Sequence, residues 1–228
     1  MSPGDLGAAA SEKQGWSWRY PRPHPRGGYD ELFDPSGAPR AHWARAVGLL
    51  EGLGLDELRH RWDQARQLLR EHGVSYDVAG EPDGAARPWN LSPIPMILDA
   101  DSWEELARGL GQRARLLDRI LADLYGEQRL LASGHIPPEI VLAHPGFLRP
   151  CAGIVPAGGC HLPLFAADLV RAPDGRFLVL ADRTQAPSGA GYALENRIVL
   201  SRALPEVFRE CQVLRLATFF RTMASTLR

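Results

Sequence analysis

The sequence of 228 residues predicts an α+β protein, in which a helical N-terminal region precedes an antiparallel β-hairpin or mixed sheet with helices. Apolar residues first recur at helical spacing, between about residues 40 and 125. Two apolar segments then flank the turn Ala172-Pro173-Asp174-Gly175, and a helical pattern returns after them. No GxGxxG follows a strand and no GxxxxGK[ST] is present, which excludes Rossmann and P-loop nucleotide sites.

Composition indicates a globular protein without a broadly charged surface. Apolar residues make up 45% of the chain and the formal net charge is −1, so no general attraction to nucleic acid or anionic lipid is expected. No apolar run reaches about 18 residues, and no apolar stretch opens the chain, so neither a membrane span nor a secretory signal is predicted. Cys151, Cys160 and Cys211 lack metal-site spacing, which favours reduced thiols in a cytoplasm.

The first part of the chain predicts an extended arm followed by two helices. Residues 1–28 are rich in Pro and Gly and should form a disordered or extended arm. A helix is expected over Arg40–Leu53. A second, Glu57–His72, should be capped by Asp56 and ended by Gly73. His60 and His72 lie off its apolar stripe and should be solvated.

A short strand and a long helix come next. Val74–Val78 is a strand candidate, Glu81-Pro82-Asp83-Gly84 predicts a turn, and the prolines after it exclude a central strand. Ser102 begins a capping box that should open a helix reaching about Tyr125. Three of its arginines alternate with acids and should form a solvated, ion-paired outer face: Arg113, Arg115 and Arg119.

The last part predicts the hairpin and the C-terminal helices. Its strands should be His161–Val170 and Arg176–Asp182, preceded by a short helix begun by Pro137-Pro138. A helix should pass through Leu194–Leu204, and another should run over Pro205–Arg228 without a stop signal. A helix that reaches the last residue favours a longer protein.

The densest polar segment of the chain is Leu180–Arg197, which surrounds a Pro-Ser-Gly-Ala-Gly turn. A solvated loop whose Ser and Asn cap the next helix is one interpretation. A binding site is the other, because so many polar groups are costly to bury without partners.

Three separated motifs, ADLVRAPDGRFLVLADRTQAPSGAGYALENRIVLSRALPE, HPGFLRPC and EPDGAARPW, resemble the circularly permuted ATP-grasp family, which groups with glutathionylspermidine-synthase-like proteins. The resemblance runs from about Tyr29 to the last residue. It implies that residues 29–228 are the N-terminal part of such a domain, because family members continue further. It also implies ATP and Mg²⁺ as cofactors, a small-molecule or peptide substrate, and an amide or peptide bond formed through an acyl phosphate.

The resemblance also implies a metal site on the hairpin. Asp168 stands where the first carboxylate ligand belongs, but Ala181 and Arg183 replace the Glu and Asn of a Glu-x-Asn pattern on the second strand. Asp182 could take over as ligand, which needs a bulge or register change. Glu195 or Asn196 could supply oxygens instead, or metal binding could be lost. Asp168 could equally be a structural ion-pair partner of an arginine.

Other residues of the matched motifs are candidates for nucleotide or substrate contacts. Arg183 and Arg197 are the catalytic candidates, which would contact phosphate or substrate, or pair structurally with Glu195. Each remaining candidate has a structural alternative. Ser188 and Gly189 form an anion-binding nest or a plain turn, Asn196 is a ligand or a hydrogen-bonding residue of a helix face, and His144 and Arg149 hold substrate or brace their loop. Gln185 belongs to the same cluster.

Two functions are therefore expected from the sequence. The first is an ATP-dependent carboxylate–amine ligase, with the rest of the same protein as its missing half. The second is a non-catalytic ATP-grasp-like module that binds a peptide or a partner protein. In either case the chain alone should not turn over ATP.

Overall fold

The computed structural model describes residues 28–76 and 87–227. They form two compact units, the first up to Leu98 with Gly189–Leu216, and the second over Asp99–Ser188 with Ala217–Arg228. The α-helices are α1 Ala41–Leu53, α2 Leu55–Glu71, α3 Ala100–Leu124, α4 Arg129–Ala132, α5 Pro138–Leu142, α6 Ala190–Ala203, α7 Pro205–Glu210 and α8 Ala217–Thr226. The strands are β1 Ser75–Tyr76, β2 Arg87–Pro88, β3 Ala166–Arg171 and β4 Phe177–Arg183.

The first unit packs α1, α2, α6 and α7 around two clusters of apolar side chains. The larger cluster consists of Leu32, Phe33, Trp43, Ala46, Val47, Leu50, Leu204 and Val207. The smaller one joins Ala65 and Leu69 of α2 to Val199 of α6, whose side chain is completely buried. The predicted helical spacing of α1 and α2 is confirmed, because the apolar stripes supply these clusters.

The starts of α2 and α3 differ from the sequence predictions. Gly54, with φ of 76°, is the N-cap of α2, so the prediction that Asp56 caps this helix is wrong. Asp56 instead lies in the first turn of α2, where its negative charge interacts favourably with the positive end of the helix dipole. The capping box at Ser102 is also wrong, because Asp99 caps α3 and accepts the Ser102 N–H at 2.7 Å.

The first unit contains a two-residue antiparallel pairing, Ser75 with Pro88 and Tyr76 with Arg87. Over residues 87–95, which the structure describes, no central strand forms, as the prolines predict. The turn at Glu81–Gly84, and the arm apart from Gly28, lie outside the described residues.

The second unit contains the predicted hairpin, which is confirmed with a first strand that begins at Ala166 rather than His161. Gly175 has φ of 86° in the turn, and the Asp174 carboxylate accepts the Arg176 N–H at 3.0 Å. Asp118 of α3 accepts the N–H groups of His161 and Leu162 at 2.7 and 2.8 Å, which ties the segment before the hairpin to the long helix. Within residues 28–76 and 87–227 the sheets are two separate antiparallel pairs, not a mixed sheet.

The predicted helix over Pro205–Arg228 is wrong, because α7 ends at Glu210 and α8 begins only at Ala217. Gln212 has φ of 50°, a left-handed conformation that a helix interior does not contain. In the described part of the chain, no helix is both long enough and apolar enough to cross a lipid bilayer.

Candidate functional site

A β-bulge in the hairpin decides which face each candidate side chain occupies. Asp168 pairs with Ala181 while Leu169 pairs with Val179, so Leu180 is an extra residue on β4. Because side chains alternate along a strand, the bulge places Asp182 on the same face as Val179. Asp168 and Arg183 lie on the opposite face, which we call the Asp168 face; the other is the Asp182 face.

On the Asp168 face, the carboxylate of Asp168 is bound by the guanidinium of Arg183. The Arg183 Nε donates to both carboxylate oxygens at 3.0 Å and its Nη2 donates to Oδ2 at 2.7 Å. The hydrogen bonds from Arg183 hold the pKa of Asp168 below its ordinary value. The side chains are 43% and 61% exposed for Asp168 and Arg183, so this pair faces solvent.

On the Asp182 face, the carboxylate of Asp182 is bound by Arg113 of α3. Nε donates to Oδ1 at 2.6 Å and Nη2 donates to Oδ2 at 2.7 Å. These hydrogen bonds lower the pKa of Asp182. Arg113 is exposed and ion-paired, as predicted for its face of α3, and its partner lies on the hairpin.

The hairpin does not bring the two predicted metal ligands together. The side chains of Asp168 and Asp182 point to opposite faces of the hairpin. Arg183 binds the carboxylate of Asp168, and Arg113 binds that of Asp182. Among the described residues, no three His, Cys, Asp or Glu side chains form a group that could hold a metal ion. These residues therefore do not fit a Mg²⁺ site built from both carboxylates, and the metal role of Asp168 and Asp182 stays a prediction.

The loop after β4 carries Gln185, Ser188 and Gly189, all exposed. Ala186 has φ of 43°, uncommon for a residue with a Cβ. Gly189 is the N-cap of α6 with φ of 105°, a conformation that explains why glycine stands there. The predicted anion nest at Ser188 and Gly189 stays a prediction.

In the first unit, polar side chains of α6 contact β1 and Trp89, the residue that follows β2. The Trp89 indole N–H donates to Oδ1 of Asn196 at 2.7 Å, and the Trp89 ring stacks on Tyr192 with centroids 4.4 Å apart. The Tyr192 hydroxyl donates to the Ser75 carbonyl at 2.7 Å. Asn196 therefore fits its structural alternative, a hydrogen-bonding residue of a helix face.

The other two charged residues of this segment of α6 have separate surroundings. Glu195 contacts Nδ1 of His72, which is exposed as predicted but has this partner as well. Neither Arg183 nor Arg197 pairs with Glu195, the structural alternative considered for both. Arg197 forms no ion pair with any described residue, and its guanidinium carbon lies 5.7 Å from the centroid of the Phe208 ring. Desolvation by its surroundings lowers the pKa of Arg197.

His144 and Arg149 lie on the exposed segment before the hairpin. His144 Nδ1 accepts the N–H of Gly146 at 3.0 Å, a bond that braces its own loop. Arg149 begins a 3₁₀ turn, Arg149–Cys151, and its side chain is exposed. A substrate role for either residue stays a prediction.

Sequence reasoning did not identify the partners of two residues that position the candidates, Arg113 and Trp89. The alternation of Arg113 with acids does not reveal that its partner is Asp182, although arginines and carboxylates often form bidentate pairs. Trp89 is 107 positions from its partner Asn196, a separation at which no local pattern could reveal the contact.

The sequence model of the family described as circularly permuted ATP-grasp type 2 matches residues 95–228, more than half of the chain. The matched segment includes the hairpin, the polar loop and α6.

Several longer proteins are similar to the chain. An uncharacterized protein of Mycobacterium tuberculosis is 43% identical over 200 residues, which are 83% of this chain and 22% of that protein. An uncharacterized protein of Synechocystis is 36% identical over 181 residues, 79% of this chain and 38% of its own length. A Frankia alni protein named "Putative glutamate--cysteine ligase 2-3" is 39% identical over 192 residues, 84% of this chain and 22% of its own length. The chain thus spans between a fifth and two fifths of these relatives.

Proposed function

Because this chain belongs to the circularly permuted ATP-grasp type 2 family, we propose that the protein carrying it is an ATP-dependent carboxylate–amine ligase. The observation that carries the proposal is the family match over the hairpin, its polar loop and α6. The name of the Frankia relative, a glutamate–cysteine ligase, supports the ligation of a carboxylate to an amine. The glutathionylspermidine-synthase-like subtype, a cytoplasmic location and a role for this chain as an N-terminal part belong to the same proposal.

The proposed reaction has two steps. A substrate carboxylate oxygen attacks the γ-phosphorus of ATP to give an acyl phosphate and ADP. An amine then attacks the acyl carbon, phosphate leaves, and the amine loses a proton. Reactions of this kind depend mainly on positioning and on neutralising the charge of the transferred group.

Arg183 is the residue of the hairpin best suited to that charge. The Arg183 side chain is 61% exposed and that of its partner Asp168 is 43% exposed, and solvent-exposed ion pairs are weak. An incoming anion can therefore take the guanidinium from Asp168 at small cost. Because the described residues do not fit a two-carboxylate Mg²⁺ site, we assign no step to a metal ion.

Arg197 is the candidate for anion binding in the first unit. Arg197 is half-buried and lacks a carboxylate partner among the described residues. A substrate carboxylate or phosphate would restore the interactions that burial has removed. Gln185, Ser188 and Gly189 stay candidates for contacts to nucleotide or substrate.

One observation favours a second candidate, a non-catalytic ATP-grasp-like module that binds a peptide or a partner protein. By the resemblance, Glu and Asn would stand at the positions of Ala181 and Arg183. Arg183 instead neutralises the carboxylate of Asp168. An internal cation in this position would replace a bound metal.

Trapping of the acyl phosphate tests the first candidate against the second. The protein as the cell makes it is incubated with Mg-ATP, a panel of amino acids and short peptides, and hydroxylamine as the amine. A ligase forms a hydroxamate and one phosphate per product. Arg183→Gln should reduce the rate at least ten-fold, while Arg129→Gln, a matched exposed arginine paired with Glu127, should not. Saturable Mg-ATP binding without hydroxamate from any acid would favour the binding module.

A further inference from the structure

A groove in the second unit runs between α3 and the Asp182 face of the hairpin. Its volume is about 820 Å³, within the range of small-molecule sites. Residues of α3 from Ser102 to Arg119 form one wall. Residues of the hairpin from Arg171 to Val179 form the other.

The lining of this groove is strongly basic. Among the described residues that line it, Glu105 is the single carboxylate, whereas five are arginines: Arg113, Arg115, Arg119, Arg171 and Arg176. Local carboxylates bind two of these arginines, since Asp182 holds Arg113 and Asp174 holds Arg176.

Two of the arginines have no such partner. Arg115 and Arg119 are exposed and form no ion pair with any residue in the described ranges. They are four positions apart on α3, where like charges repel and destabilise a helix. An anion bound between them would remove that repulsion.

The groove also offers apolar surface beside the charges. Leu106, Leu110 and Val179 line it, together with the half-buried ring of Phe177. The Arg171 guanidinium lies 3.9 Å from the centroid of that ring and donates to the Gly175 carbonyl at 2.9 Å, which fixes the hairpin wall. A ligand with an apolar part would therefore find a rigid surface.

We propose that this groove is a binding site for a small, multiply charged oxyanion. Its phosphate or carboxylate groups would bind Arg115 and Arg119, and any apolar part would lie against Leu110 and Phe177. The planar guanidinium fork pairs with both kinds of oxyanion. The site is independent of the proposed ligase function, because Asp168 and Arg183 lie on the other face of the hairpin.

Calorimetric titration of the chain with tripolyphosphate and with citrate tests the proposal. We expect saturable binding that weakens with added salt, and the stronger of the two probes identifies the preferred oxyanion. Arg115→Gln with Arg119→Gln should weaken binding at least ten-fold. The matched control, Arg70→Gln with Arg108→Gln, removes two exposed charges that do not line the groove and should change the affinity less than about three-fold, since salt largely screens an exposed charge that does not contact the anion.

A second pair of variants adds a side chain to the groove wall without removing an arginine. A Cβ at Gly109 of α3 would meet no atom within 4 Å, and glycine is a poor helix former, so the helix should tolerate both changes. Gly109→Glu should weaken binding at least ten-fold through repulsion, whereas Gly109→Gln should keep most of it. Absence of binding to both probes, or equal losses in the groove and control variants, would overturn the proposal.

Discussion

Asn196 was predicted to have either a structural role or a ligand role, and the Asn196→Leu variant tests which of the two it has. In the structure its Oδ1 accepts the indole N–H of half-buried Trp89 at 2.7 Å. Leucine removes the acceptor and leaves that N–H without a partner, which costs about 1–3 kcal/mol. For a chain of this size, each kcal/mol lowers the melting temperature by about 2–4 °C.

Urea unfolding followed by circular dichroism measures this loss. Asn196→Asp keeps an acceptor oxygen and should lose much less free energy of unfolding than Asn196→Leu. Asn90→Leu is the control, because Asn90 is exposed and its replacement should alter stability by less than about 0.5 kcal/mol. If Asn196→Leu unfolds at the parent's urea concentration, the structural role assigned to Asn196 is wrong.

Three further changes test other parts of the fold. Val199→Ala should lower the free energy of unfolding by about 2–3 kcal/mol because Val199 is fully buried, whereas Val155→Ala, at a side chain 74% exposed, should have almost no effect in the same urea titration. Gly189→Ala should lower the free energy of unfolding by roughly 1 kcal/mol because the φ of Gly189 is 105°. Gly191→Ala, inside α6 with open space around it, should raise that free energy by a similar amount. Equal shifts of the two melting temperatures in thermal unfolding would contradict this backbone argument. Hydrogen bonds from Arg113 lower the pKa of Asp182 from 3.8, so the stabilising contribution of this carboxylate is present above about pH 5 and is lost as the pH falls through the lowered pKa. The Asp182→Asn variant should therefore have a lower melting temperature than the parent at pH 7 and the same one in acid. A difference in melting temperature that does not change with pH would refute the assignment.

The elements of this fold could be predicted where local sequence determines them. The turn Pro173-Asp174-Gly175 fixes the hairpin, because Gly175 adopts a positive φ and Asp174 holds the next N–H. The apolar stripes of α1 and α2 likewise predict their buried faces. The predicted helix starts are wrong where two nearby residues could each cap the helix, and at α3 the cap is Asp99 rather than Ser102.

The arrangement of the site depends on features that a pattern does not contain. The extra residue Leu180 changes the face on which Asp182 lies, and no residue type marks that bulge. Arg113 and Asp182 are 69 positions apart, so their pairing follows from packing rather than from local preference. For Asp168, an ion pair with an arginine was among the expected alternatives, although Glu195 rather than Asp168 was the partner expected for Arg183.

The most direct test of the account is the affinity of Mg-ATP for the protein as the cell makes it, measured by calorimetry. We predict saturable binding that Arg183→Gln weakens at least ten-fold and that Arg129→Gln leaves unchanged, since only Arg183 lies on the Asp168 face of the hairpin. A protein that binds no Mg-ATP, or one that binds it equally well after Arg183→Gln, would contradict the role proposed for this face.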